Sequence, residues 1–143
     1  MLKTLAPACT ALLAISTLTL LPACQTSGGA SVQADALPGA VQTVANRASD
    51  MGKPALVVVG AEWCGHCKRY EGGTLTQADT ADYLRANTVY EKLDFDEHKA
   101  ELRAAGVTSL PTTLLFVDGV QRASFSGVKS SGELIEWIEK NAS

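Results

Sequence analysis

Apolar and polar positions along the first half of the chain predict one helix and two strands. Apolar residues recur at every third or fourth position from Ala40 to Ala48, which predicts an amphipathic helix that stops near Gly52. The continuous apolar run Ala55–Gly60 is typical of a strand that is buried on both faces. Residues 89–95 alternate instead, so we expect a second strand with its odd-numbered residues on one side.

Shorter helices are expected around these strands. One begins at Cys64 and is interrupted by a pair of glycines. A second helical piece starts at Thr76, whose hydroxyl would cap it, and turns Ala81 and Leu84 towards the interior. The pattern over residues 97–105 predicts a further helix.

The second half of the chain predicts a β-hairpin and a closing helix. The apolar runs 112–117 and 120–125 are separated by Asp118-Gly119, which is a strong hairpin signal. Ser130 followed by Glu133 has the spacing of a capping box, so the last helix is expected to begin there. We expect three of its apolar side chains to be buried: Leu134, Trp137 and Ile138. This order of elements predicts an α/β domain.

The first 36 residues differ from the rest and predict export. A positive charge at Lys3 precedes an uncharged, apolar stretch that ends at Leu21, which is the pattern of a signal peptide over residues 1–23. Residues 24–36 are small and polar and are expected to form a flexible tether. The folded domain is then expected to occupy residues 37–143.

The end of the signal peptide indicates whether the protein would be anchored to a membrane. Leu21-Pro22-Ala23-Cys24 resembles the lipobox of bacterial lipoproteins, which implies a lipid anchor at Cys24. Gln25 resembles the class that is sorted to the outer membrane. Cleavage after Ala34, or an ordinary signal peptide that is removed together with Cys24, are the alternatives.

Net charge and cysteine positions exclude several classes of partner and cofactor. The net charge of −3 includes no basic stripe, so nucleic acid is not an expected partner. Two of the four cysteines lie in the N-terminal segment, and the other two, Cys64 and Cys67, are too close in sequence to close a stabilising loop. Covalent haem would require histidine where Lys68 stands, and His66 and His98 do not complete a zinc site. We therefore expect neither a metal nor a cofactor.

The cysteine pair has the arrangement of a redox site. Cys64 and Cys67 lie at a predicted strand-to-helix junction, where the unpaired N–H groups and the dipole of the helix favour a thiolate. Cys64 would be the exposed nucleophile, and Cys67, one turn later, would close a disulfide with it. A proton on His66 would stabilise the Cys64 thiolate further. Trp63 would offer an apolar contact surface or simply pack.

Two separated motifs resemble the thioredoxin-fold family. They are Ala61-Glu62-Trp63-Cys64-Gly65-His66-Cys67-Lys68 and Val107-Thr108-Ser109-Leu110-Pro111-Thr112. The resemblance implies a central mixed sheet flanked by helices. It also implies that Pro111 is a cis-proline facing the dithiol, and that Trp63, Gly65 and Leu110 contact the substrate.

Within that family, the spacing after Cys67 resembles the C-terminal domain of the DsbD interchange proteins, whereas Gly65-His66 is similar to protein disulfide isomerases. Many members carry a buried aspartate where this chain has Val58. Glu71, which matches a glutamate of the DsbD-type domain, would replace it in proton transfer with Cys67. The alternative interpretation of Glu71 is a solvated helix charge.

These observations predict an exported thiol:disulfide oxidoreductase in the periplasm. It would exchange the Cys64–Cys67 disulfide with protein dithiols and disulfides, with the reductase direction favoured, and would receive electrons from a separate membrane donor. No dimerisation element is evident, so we expect a monomer. The alternative is a non-catalytic thioredoxin-fold lipoprotein that binds a partner, since fold alone does not determine function.

Overall fold

The structure, a computed structural model, describes residues 39–143. The expected signal peptide, the lipidation site at Cys24, the tether and the first two residues of the expected domain lie outside the described residues. Between Gly39 and Ser143, no helix has both the length and the apolar character needed to cross a bilayer.

A four-stranded mixed sheet forms the centre of the described part of the chain. Strand β2 pairs in parallel with β1, while β1–β3 and β3–β4 are antiparallel, and the order across the sheet is β2-β1-β3-β4. The strands are β1 (Ala55–Gly60), β2 (Val89–Asp94), β3 (Thr112–Val117) and β4 (Val120–Ser126). All four lie at the positions that the apolar pattern predicted.

Within residues 39–143, five α-helices and one 3₁₀ turn cover the sheet. The helices are α1 (Ala40–Asp50), α2 (Gly65–Gly72), α3 (Ala78–Asn87), α4 (Lys99–Ala104) and α5 (Ser131–Ala142), and the 3₁₀ turn is Thr74–Thr76. The first and fourth helices pack on one face of the sheet, around Val57, Leu114 and Phe116. The other three α-helices pack on the opposite face, around Leu56 and Val58. Helices therefore flank the sheet on both faces.

Burial explains why the sequence of β1 is an unbroken apolar run. All six of its residues are buried, because it is a central strand with helices on both faces. The edge strand β2 buries Val89 and Leu93 on one face and leaves Tyr90 and Lys92 exposed, which is the alternation seen in the sequence.

Strand direction brings the two sequence motifs to one end of the sheet. Strand β1 ends at Gly60, and the chain turns through Ala61 into α2. Because β3 is antiparallel to β1, with Thr112 opposite Val59, it begins at the end where β1 finishes. Pro111 directly precedes β3 and therefore lies at the same end as the cysteines.

Three local predictions around the helices were wrong or incomplete. Thr76 does not cap α3. Its hydroxyl instead donates to the carbonyls of Gly72 and Gly73 at the C-terminal end of α2. The buried residues of α3 are Thr80 and Leu84, while Ala81 is half-buried. Trp137 is also half-buried, and its ring meets Phe125 edge to face. The capping box at Ser130 and Glu133 is confirmed.

Candidate active site

Cys64 and Cys67 form a disulfide at the start of α2. Cys64 is the N-cap residue, and its sulfur accepts a hydrogen bond from the Cys67 N–H at 3.2 Å. The two differ in accessibility, since Cys64 is 7% exposed and Cys67 is 1% exposed. An anionic sulfur at Cys64 would be stabilised by this N–H and by the helix dipole.

Trp63 presents an apolar surface beside the disulfide. Its side chain is 69% exposed, and its indole N–H donates to Asp96 Oδ2 at 2.7 Å. The Asp96 N–H in turn donates to Asp94 Oδ1 at the end of β2. The ring is therefore hydrogen-bonded to the turn that follows β2 and lies outside the core.

His66 lies on the exposed side of α2 and contacts Arg69. The guanidinium Nη2 lies 2.9 Å from His66 Nδ1. A guanidinium has only donors, so Nδ1 accepts, and the ring proton of a neutral imidazole is then on Nε2. Arg69, three residues after His66, is a neighbour that helix periodicity could have revealed.

The loop before β3 faces the cysteines. The Leu110–Pro111 peptide bond is cis, and Leu110 packs against the cluster of Ala61, Cys64 and Cys67. The Pro111 carbonyl accepts from the Gly127 N–H at 2.8 Å, which brings the segment after β4 next to this loop. Val128, the next residue, is 56% exposed and was not singled out in the sequence.

Glu71 lies behind the disulfide, on the α2 side of the sheet. Its Oε2 accepts from Lys92 Nζ at 2.7 Å. This hydrogen bond raises the pKa of Lys92 above its usual value. Tyr90 is 37% exposed, and the burial of the rest of its side chain, followed by the charges of Glu71 and Glu91, raises its pKa to about 12. Glu71 is thus part of an ion pair, which the solvated-charge interpretation did not foresee.

Val58 leaves the interior under the site without a carboxylate. It is buried and lies opposite Thr113 in the sheet, and Tyr70 packs in the same cluster. Burial raises the pKa of Tyr70 to about 12, so the phenol stays protonated at neutral pH. Neither the Tyr70 hydroxyl nor the Thr113 hydroxyl can act as the base that an aspartate at position 58 would provide.

The comparison with known families decides what this arrangement belongs to. The sequence model that describes thioredoxin matches residues 40–140. The protein is a member of the thioredoxin family. The thioredoxin fold predicted from the sequence, a mixed sheet flanked by helices, is thereby confirmed.

Three relatives show how far the similarity reaches. The thioredoxin of Rickettsia conorii is 32% identical over 88 residues, or 62% of this chain and 81% of that protein. The protein disulfide-isomerase of Saccharomyces cerevisiae is 32% identical over 95 residues, or 65% of this chain but 18% of that longer protein. The oxidised C-terminal domain of Neisseria meningitidis DsbD has a TM-score of 0.56 at 26% identity, and the match covers 69% of this chain and 87% of that domain.

Family membership establishes the reaction class. The protein is a thioredoxin-like thiol:disulfide oxidoreductase, and proteins of this type act on protein disulfides and dithiols. Among the predicted site residues, the structure brings Trp63, the two cysteines, Leu110 and Pro111 to one end of the thioredoxin fold. Gly65 and His66 are exposed on the first turn of α2, and Glu71 lies behind them.

The structure adds residues that motif reading missed. Lys92 and Asp96 reach the site only through the parallel pairing of β2 with β1, which the sequence does not encode locally.

Within residues 39–143, no group of three metal-ligating side chains is close enough to hold an ion.

Proposed function

We propose that this thioredoxin-family protein is an exported reductase of protein disulfides. The observation that carries the proposal is the unequal disulfide at the start of α2. Cys64 is partly accessible and receives an N–H, whereas Cys67 is almost completely buried. This arrangement separates an attacking sulfur from a resolving sulfur.

The reaction would proceed in two exchanges. The Cys64 thiolate attacks the disulfide of a partner, so a bond forms between Cys64 and one partner sulfur while the second partner sulfur leaves as a thiolate. Cys67 then gives up its proton and attacks Cys64, which releases the first partner sulfur and leaves the Cys64–Cys67 disulfide. Two electrons pass from the protein to the partner, and no cofactor takes part.

Substrate binding would use the surface around Cys64. The cis-proline loop at Leu110 and Pro111 offers backbone groups beside the disulfide, and Trp63 offers an exposed apolar face. Gly65 adds no side chain, and no atom lies within 4 Å of the place where one would begin, so an extended polypeptide could approach the first turn of α2 closely. These features favour protein partners over small thiols.

The reductase direction is supported by the residues after Cys67, which resemble those of the DsbD-type domain. The Gly65-His66 dipeptide, which is similar to that of the protein disulfide isomerases, favours the opposite direction, because stabilising the Cys64 thiolate makes a disulfide more oxidising.

Location and partners remain the proposals made from the sequence. A lipid anchor at Cys24, followed by the tether over residues 24–36, would hold a monomeric domain at the membrane surface in the periplasm, with the outer membrane favoured. A separate membrane protein would supply electrons. The similarity to the DsbD domain is in keeping with such a donor.

The reduction potential of the Cys64–Cys67 pair tests the direction. Equilibrated against glutathione buffers, a reductase should lie near the thioredoxin value, about −270 mV, while a value near about −180 mV would contradict the reductase assignment. A Cys67→Ser variant should trap a Cys64 mixed disulfide with its partners. If the pair never cycles and Cys64→Ser leaves partner binding intact, the protein is the non-catalytic module instead.

A further inference from the structure

The last residue of β1 is a glycine whose missing side chain creates space behind the disulfide. A Cβ placed on Gly60 would lie 2.9 Å from Glu71 Oε1, 3.3 Å from Cys67 Cβ and 3.7 Å from Cys67 Sγ. The carboxylate oxygen and the buried sulfur therefore border the same small volume. Any side chain at this position would occupy the space between them.

The hydrogen bond made by one carboxylate oxygen of Glu71 orients the other oxygen towards this space. Oε2 is held by Lys92 Nζ at 2.7 Å, while Oε1 points to Gly60. The Glu71 side chain is 25% exposed, so the pair is partly shielded from water. The other charged groups that act on Lys92 are Glu62 and Asp94. Asp94, however, already accepts a backbone N–H from Asp96, and Glu62 is exposed.

We propose that Gly60 is a positioning residue that gives the Glu71 carboxylate access to the Cys67 sulfur. The inference rests on the proposed function and specifies how its second exchange is served. With Val58 in the core and an empty side-chain position at Gly60, the carboxylate reaches Cys67 from helix α2 instead of from strand β1.

The proton transfer follows from this placement. When Cys67 attacks the mixed disulfide, its proton passes to the Glu71 carboxylate, a bond forms between the Cys67 and Cys64 sulfurs, and the bond from Cys64 to the partner breaks. The departing partner sulfur leaves as a thiolate and takes a proton from water. When the disulfide is opened in the reverse direction, the neutral Glu71 returns its proton to Cys67, so Glu71 is regenerated in each cycle.

Adding one methyl group at Gly60 tests the inference. In Gly60→Ala, the nearest clash is with the far end of the flexible Glu71 side chain, which can swing aside without disrupting the fold. The reduced full chain is mixed with oxidised glutathione, quenched with acid and analysed by mass spectrometry. We expect the Cys64–glutathione disulfide to accumulate because its resolution slows by about tenfold at pH 7, while its formation is unchanged.

A double-mutant cycle separates access to Glu71 from packing against Cys67. In a Glu71→Gln background, Gly60→Ala should slow resolution by less than about twofold, because the base is already absent. Gly72→Ala is the matched control, since no atom lies within 4 Å of its added Cβ, and it should resolve at the wild-type rate. Lys92→Gln releases Glu71 from the other side and provides the test if Gly60→Ala does not fold.

Two results would overturn the inference. The first is resolution of Gly60→Ala at the wild-type rate, and the second is an equal slowing in the presence and absence of the Glu71 carboxylate. Either can occur while the wild-type Cys64–Cys67 pair cycles normally, so the proposed function would survive. A wild-type pair that does not cycle would reject both.

Discussion

Two glutamates on opposite sides of the sheet each place a carboxylate oxygen against a glycine, but their remaining contacts differ. Glu101, on α4, is 8% exposed, and its two oxygens accept the backbone N–H groups of Ala40 and Val41 at the start of α1. A Cβ on Gly39 would lie 2.7 Å from one of these oxygens. Glu71, on α2, has one oxygen on Lys92 and the other facing Gly60 and Cys67.

The difference distinguishes a structural carboxylate from the one that we propose to transfer protons. Glu101 satisfies two N–H groups that the first turn of a helix leaves unpaired, and its negative charge lies at the positive end of the helix dipole. Both of its oxygens therefore accept hydrogen bonds that serve the fold. Glu71 keeps one oxygen uncommitted beside a sulfur that must lose and regain a proton, which is the requirement for a general base.

The largest expected effect is on the stability that Glu101 provides. Glu101→Ala leaves two backbone donors at the start of α1 without acceptors, and we expect it to lower the free energy of unfolding by about 3 kcal/mol. Urea unfolding of the oxidised protein measures this value. The resolving rate at 25 °C should be unchanged in the folded fraction, and a slowed exchange reaction would contradict the structural assignment.

The converse experiment is Glu71→Gln, which keeps the shape of the side chain and removes the base. We expect the resolution of the Cys64–glutathione disulfide to slow by about 100-fold at pH 7, with a change in the free energy of unfolding below about 1 kcal/mol. Acid-quenched mass spectrometry follows the rate. Retention of the wild-type rate would return Glu71 to the role of a solvated charge.

The two carboxylates also show what sequence could and could not predict. The helix start at Cys64 and the buried run of β1 depend on local patterns, and both lie where they were predicted. The cis peptide bond before Pro111 was implied by the family resemblance and not by a local pattern. Glu101 contacts Ala40, 61 positions away in sequence, and no local pattern encodes such a pair. Gly60 looked like an ordinary strand residue, because its importance depends on which helix side chain approaches it.

Residues of the site that are adjacent in sequence were easier to predict than contacts between different elements, for the same reason. Cys64, His66 and Trp63 belong to one continuous motif, so their proximity follows from chain geometry alone. Lys92 reaches Glu71 only because β2 pairs in parallel with β1 in a register that places Lys92 beside Val58. The contact of Arg69 with His66 was accessible from helix spacing and was overlooked.

A smaller effect is expected at the glycine beside Glu101. Gly39→Ala combines a backbone conformation at φ +93° with a methyl group 2.7 Å from a carboxylate oxygen that cannot move without losing its backbone bonds. We expect it to lower the free energy of unfolding by about 2 kcal/mol while the exchange rate stays normal. Gly60→Ala should show the opposite pattern, with a slower exchange and little loss of stability.

Gly106→Ala controls for the backbone in this comparison. Its φ of +86° is similar, and no atom lies within 4 Å of the added methyl group. The additional loss in Gly39→Ala, about 1 kcal/mol, then measures the contact with Glu101 alone. Equal losses in the two variants would show that the glycine at residue 39 serves only the backbone.

The smallest expected effect concerns how firmly Lys92 holds Glu71. The hydrogen bond with Glu71 raises the pKa of Lys92 in the folded protein above its ordinary value of 10.5. The stabilisation is therefore fully present below pH 10.5 and is lost as the pH rises through the folded value. Since the Lys92 side chain is 46% exposed, solvent screening limits this contribution to less than about 1 kcal/mol.

Lys92→Gln measures this contribution directly in the oxidised protein. Its difference from wild type in the free energy of unfolding should be constant from neutral pH to about 10 and shrink at higher pH. Arg47→Gln breaks the exposed ion pair between Arg47 on α1 and Glu91, which is on the same strand as Lys92. Its difference from wild type in the free energy of unfolding should not shrink at high pH, because arginine stays charged in this range. A Lys92→Gln difference that does not shrink at any pH above 10.5 at which the protein remains folded would mean that Lys92 stabilises the edge strand by packing, leaving the Glu71 carboxylate without a fixed orientation towards Cys67.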